Sequence, residues 1–149
     1  MNKLFAASVA ALLLSFAGVW YWNASNPASA VFFEPPYNYE IGDALSSFTA
    51  FAFSFVFSIL FFGYSAPLAM LIEGAKFASL YTRGGLPWFD LLFVVPDLLA
   101  CYSAILLGAN AWEDFKGTGS LFKGWREAFK YFIVAAALLG ALLVARGFF

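Results

Sequence analysis

Of the 8 basic and 9 acidic side chains in the 149-residue sequence, four fall inside stretches that are otherwise apolar: Glu73, Lys76, Asp90 and Asp97. An ionisable group held in hydrocarbon costs roughly 2.5 to 3.5 kcal/mol, so each of these needs a partner or a use. Glu73 and Lys76 stand three apart, the spacing of a helical ion pair. Asp90 and Asp97 stand seven apart, which puts them on one face of a continuous helix. Cys101, Ala104 and Gly108 continue that face, so it reads as a polar or small stripe turned toward other helices. Two chemistries follow. In one, Glu73, Asp90 and Asp97 relay protons or ions. In the other, the charges are paired and fix how the helices pack, which is the ordinary fate of such groups. An aspartyl dyad is excluded, because seven helical residues separate the two aspartates by about 10 Å, too far to share a proton.

Other chemistries lack their residues. The sequence has no histidine, which removes histidine bases, histidine zinc sites and histidine-ligated haem. Cys101 is the single cysteine and lies in an apolar run, where it reads as a small buried hydrophobe. No nucleotide-binding glycine loop and no nucleophile elbow is present. The sequence therefore predicts no catalytic residue, no cofactor and no metal. A net charge of −1 offers no basic footprint for nucleic acid.

The elements that carry these residues are read from the hydropathy pattern. Hydrophobic residues make up 63% of the chain and charged ones 11%, against about 25% charged in soluble domains. Too few charges remain to cover a water-facing surface. The expected fold is a single all-α domain, an integral membrane bundle of about five transmembrane helices, with the lipid bilayer as its surroundings. Leu4 to Trp22 is an apolar run long enough to cross, closed by the interfacial aromatics Trp20, Tyr21 and Trp22. Ala28-Ser29-Ala30 resembles a signal-cleavage site, but the apolar run exceeds a usual signal core, and a retained helix is expected. Residues 23–43 hold Pro27, Pro35, Pro36, Glu34, Glu40 and Asp43, with no lysine or arginine, and read as an extracellular loop. Its Asn23-Ala24-Ser25 sequon lies too close to a membrane end to be used.

Residues 44–72 carry no charge, and 29 helical residues would span about 43 Å, more than one crossing. Gly63-Tyr64-Ser65-Ala66-Pro67 breaks the run, which predicts helices over 44–62 and 66–81, with Ser65 as the cap of the second. The second, short and charged, is expected to be tilted or re-entrant. A turn at 82–87 then leads to a long helix over 88–112, kinked near Leu92 by Pro96. A polar loop and helix start occupy 113–130, and the last helix covers 126–147. With five crossings, Lys3, Lys116, Lys123, Arg126 and Lys130 share one side, and only Arg83 and Arg146 lie on the other. The positive-inside rule then places the N-terminus in the cytoplasm and the C-terminus outside, in a multi-pass protein of the cell membrane.

Small residues recur at helical spacing. Ala100, Ala104 and Gly108 line the fourth helix, and Ala136 and Gly140 the fifth, faces that suit close helix packing within one bundle or, second, between copies. Leu71-Ile72-Glu73-Gly74, a turn, then Pro96-Asp97-Leu98-Leu99-Ala100, Ala104 and Gly108 resemble the stage II sporulation protein M family over residues 44–149. Glu73 stands where that family has asparagine, and no histidine precedes Asp97. The resemblance implies a non-enzymatic, multi-spanning protein that recruits partners. The function expected is a membrane scaffold or complex subunit that binds a membrane-protein partner or itself; the alternative is a small transporter or channel using the buried carboxylates.

Overall fold

A computed structural model of the chain describes residues 2–26, 41–84 and 90–146. Among the described residues the chain is helix and turn, with no strand. The helices are α1 (Asn2–Ser25), α2 (Ile41–Phe57), α3 (Ser65–Gly84), α4 (Val94–Phe115) and α5 (Leu121–Arg146), and a short 3-10 turn, Asp90–Phe93, leads into α4. Among the described residues, three segments are long and apolar enough to cross a membrane: Lys3–Ser25, Leu91–Phe115 and Gly124–Arg146. Of these, the α4 segment is the most buried and forms the centre of the bundle.

Polar and glycine contacts set the helix directions. Ser15 on α1 donates to the Leu71 carbonyl on α3 at 2.6 Å, while Leu4 lies against Gly63 just before α3, so the two helices run parallel. In α2, Ser54 meets Ser65 at one end and Ser46 meets Lys76 at the other, so α2 opposes α3. On α4, Ile105 and Gly108 pack on Gly63, while Asp97 faces Glu73 and Lys76, which makes α4 antiparallel to α3 as well. Ser103 donates to the Ala128 carbonyl at 2.7 Å, and Asn110 lies on Gly124, turning α5 back along α4. Directions therefore alternate from α1 to α5.

The core is built from small and aromatic side chains together: Phe51, Phe55, Met70, Ala100, Ala104 and Ile105 are all buried in it. Burial is uneven. Most of the surface of α1 and α5 faces outward, with Leu14, Tyr21, Ile133 and Val144 exposed on these helices. In a bilayer those faces meet lipid, which is as apolar as they are.

Several boundaries differ from those read in the sequence. The break after α2 begins at Ser58, not at Gly63, because the chain needs room to turn: residues 58–64 form consecutive turns, closed by Gly63 N–H donating to the Ser58 carbonyl at 3.0 Å. Phe62 and Gly63 both take positive φ, 50° and 86°. Such a conformation is unusual for a bulky residue. Phe62 is held there by its ring, packed 4.9 Å from Trp112 and 5.9 Å from Phe115 between centroids. Ser65 does not cap α3. Its hydroxyl donates instead to the Ser54 carbonyl at 3.0 Å and ties α3 to α2.

Thr82 to Gly84, read as a turn, continue α3, which reaches 20 residues. The long kinked helix over 88–112 is replaced by the 3-10 turn and α4. Pro96 then falls in the first turn of α4, where its missing N–H has no helical acceptor to serve, so no kink is needed. Most of the polar stretch 113–130 is helical. α4 ends at Phe115 on Gly117, φ 70°, with Thr118 N–H donating to Glu113 and Gly117 N–H to Asp114, a Schellman closure. The expected loop 23–43 is helical at Asn23–Ser25 and from Ile41 onward, and residues 27–40 lie outside the described residues.

Candidate functional site: a sealed charge cluster between α3 and α4

Glu73 sits mid-way along α3, where that helix crosses α1 most closely. The crossing depends on the next residue. A Cβ on Gly74 would run into the Leu12 carbonyl oxygen and come within 3.1 Å of Ser15 Cβ. Only glycine permits this backbone approach, which draws α3 into the bundle and takes Glu73 with it. Glu73 is 1% exposed. Lys76, one turn further on, donates to Glu73 Oε1 at 3.0 Å and has a side chain 25% exposed. Its ammonium also lies 3.4 Å from the Ser46 hydroxyl of α2. A buried pair of this kind holds only because each charge has a partner.

Asp97 enters from α4. It lies in the helix's first turn and is 4% exposed. Its carboxylate is near enough to Glu73 and Lys76 to interact with both charges, so α3 and α4 bring together one lysine and two acids. Asp97 Oδ2 is buried with no hydrogen-bond partner. Cys101, one turn along α4, is fully buried. Among the described residues, no group of three or more acids and thiols is placed to hold a metal ion.

Glu73, Lys76 and Asp97 therefore meet. Asp90 opens the 3-10 turn, so the register that puts residues 90 and 97 on one face of a continuous helix does not apply. Its side chain lies outside the described residues. The turn at residues 58–64, whose non-helical backbone could offer donors to a buried carboxylate, lies at the other end of α4. There it packs on Ile105 and Gly108, roughly 12 to 17 Å of helix away from Asp97.

The small residues divide in the same way. Ala100 and Ala104 are buried in the core, and a Cβ on Gly108 would collide with the backbone of Phe62 and Gly63. Gly108 thus accommodates a turn and not a neighbouring helix. On α5 the packing face is not the one through Gly140. Gly140 is exposed, a Cβ there would meet nothing within 4 Å, and Ala136 is only half-buried. The inward face carries Ala128, Ala135 and Leu139 instead. Two contacts had only weak signals in the sequence. Ser103 and Asn110 are polar residues in an apolar run, a mark of an interhelical partner, but neither names the Ala128 carbonyl or Gly124.

No protein-family model, curated protein or solved structure matches the chain.

Proposed function

We propose that this protein is a non-catalytic, five-span component of the cell membrane, a scaffold or complex subunit, with its N-terminus in the cytoplasm and its C-terminus outside. The observation that carries this reading is the sealing of the deep charges. Glu73 and Asp97 are 1% and 4% exposed, and Glu73 is bonded to Lys76. A half-open cavity among the described residues lies at the other end of α4, against Ile105, Ala109 and Trp112. A transport route needs water or substrate at the ionisable groups; buried carboxylates packed between helices fix an architecture. Five crossings are supported by the alternating helix directions and by the charge count. Lys3, Lys116, Lys123, Arg126 and Lys130 belong to one end of the bundle. The resemblance of Leu71–Gly74 and Pro96–Gly108 to the stage II sporulation protein M family points the same way, since its members are multi-spanning and non-enzymatic.

One observation favours a second reading, a proton- or ion-coupled transporter: the unpartnered Oδ2 of Asp97 beside Glu73. Reconstitution into liposomes separates the two. A scaffold shows no ion or proton flux above empty vesicles, and pull-down from membranes returns a stoichiometric partner or a second copy. In a scaffold, Asp97→Asn keeps that association because the amide retains an acceptor, whereas Asp97→Leu weakens it. Flux that both substitutions abolish overturns the scaffold. For topology, cysteines at residues 38 and 120 are expected to label from opposite sides, with 38 outside; labelling from one side rejects five crossings.

A further inference from the structure

At the end of the bundle away from the charge cluster, α1 and α4 diverge over the 58–64 turn and leave a half-open cavity of about 590 Å³. Lys3 and Ala7 of α1 form one wall, Ala109 and Trp112 of α4 the other, with Phe62 and Tyr64 from the turn between them. Its size lies in the range of ligand clefts, roughly 300 to 1,000 Å³. The lining is apolar along its length and cationic at one point, Lys3. A second ammonium stands at the Trp112 end, where Lys116 Nζ lies 4.4 Å from the ring centroid. Trp112 and Tyr64 are exposed, as aromatics at a membrane–water boundary are.

The rest of this end is basic as well. Five basic residues (Lys3, Lys116, Lys123, Arg126, Lys130) belong to it against three acids (Glu113, Asp114, Glu127), whereas the remainder of the chain has three basic residues and six acids. An apolar slot that opens at headgroup level beneath two lysines matches a molecule with an acyl chain and an anionic head. Basic pockets between transmembrane helices on the cytoplasmic side bind such lipids.

We propose that this groove between α1 and α4 is a binding site for an anionic phospholipid, with the acyl chain along Ala7 and Ala109 and the phosphate at Lys3 and Lys116. The site requires that the chain lie in a bilayer, and it stands whether the protein is a scaffold or a transporter.

The test uses the full chain in mild detergent, offered equimolar phosphatidylglycerol and phosphatidylcholine with the same acyl chains, and native mass spectrometry to read the bound lipid. The expected result is a preference for phosphatidylglycerol of about tenfold, falling to about twofold or less in Lys3→Gln/Lys116→Gln. Both lysines lie at the ends of exposed helix turns, so this variant keeps the fold. Ala109→Trp fills the groove and is expected to lower retention of both lipids by about fivefold or more. Inorganic phosphate at millimolar concentration should displace nothing. Equal retention of the two lipids by the wild-type protein, an unchanged preference in the double lysine variant, or displacement by free phosphate overturns the proposal. If Ala109→Trp fails to fold, the lysine variant alone decides.

Discussion

The two ends of α4 are held in place by opposite means. Near Val94, Asp97 faces side chains from α3, and the contact is one of charges: Glu73, Lys76 and Asp97 within reach of one another, with both carboxylates out of water. Near Phe115, Gly108 is enclosed by backbone, the Phe62–Gly63 turn lying directly on it, and the adjacent surface opens into an apolar groove. In a bilayer, apolar side chains gain little by leaving lipid for protein, so a helix is fixed by close backbone approach or by polar groups that need each other. This molecule uses one device at each end of its central helix. The glycine end tolerates no added atom, while the charged end tolerates no lost partner.

Four substitutions break or sharpen that contrast, taken from the largest expected effect. Gly108→Val places a branched side chain where backbone already stands, and the turn at 58–64, pinned by Phe62 against Trp112, has no room to retreat. A loss above about 4 kcal/mol is expected, seen as failure to recover folded protein in detergent. Recovery of a stable Gly108→Val protein would mean that the turn does not rest on α4.

Lys76→Met acts at the other end. It leaves Glu73, almost wholly buried, beside Asp97 with no cation between them. Breaking a buried pair costs about 3 to 5 kcal/mol, and the partial exposure of Lys76 places this one near 3. Thermal unfolding in detergent reads it, and the double variant Lys76→Met/Glu73→Leu should recover much of the loss. No recovery would show that the pair contributes packing and not charge.

Gly74→Ala adds one methyl group against the Leu12 carbonyl and pushes α1 from α3. Helices can shift apart where a turn cannot, so a smaller cost of about 1 to 3 kcal/mol is expected, with easier proteolysis of α1 as a second readout. Gly140→Ala is the control. Nothing lies within 4 Å of its added Cβ, and the change is expected to stay within about 0.5 kcal/mol. A large effect of Gly140→Ala on self-association, with the monomer equally stable, would identify the outer face of α5 as a contact between copies.

How far the site was legible follows from the same contrast. The pairing of Glu73 with Lys76 is local, three residues apart on one helix, and spacing was enough to read it. The meeting of these two with Asp97 depends on α4 running antiparallel to α3 in a particular register, and no spacing along the chain encodes that. Asp90 shows the limit of periodicity. Spacing assumed one α-helix from residue 88 onward, whereas Asp90–Phe93 is a 3-10 turn that does not keep α-helical register. Ala100, Ala104 and Gly108 were legible as small residues on one helix face, but Gly108 faces a turn. Gly140, equally small and equally spaced, faces outward.

The sequence by itself determined the class of molecule. A chain with 63% hydrophobic and 11% charged residues has nowhere to hide its apolar surface except lipid, and runs such as Lys3–Ser25 and Gly124–Arg146 form helices because hydrocarbon leaves backbone groups no partner but each other. It also excluded whole chemistries by the residues it lacks. Only the tertiary structure decided which small residues touch, where the break at 58–64 rests, and that one lysine and two acids converge while a cleft opens at the far end. Those are properties of helix rotation and register. Composition and periodicity leave both undetermined, because an apolar helix in an apolar solvent presents nearly equal faces all round, and only contacts such as Gly74 on Leu12 or Gly108 on Phe62 select one.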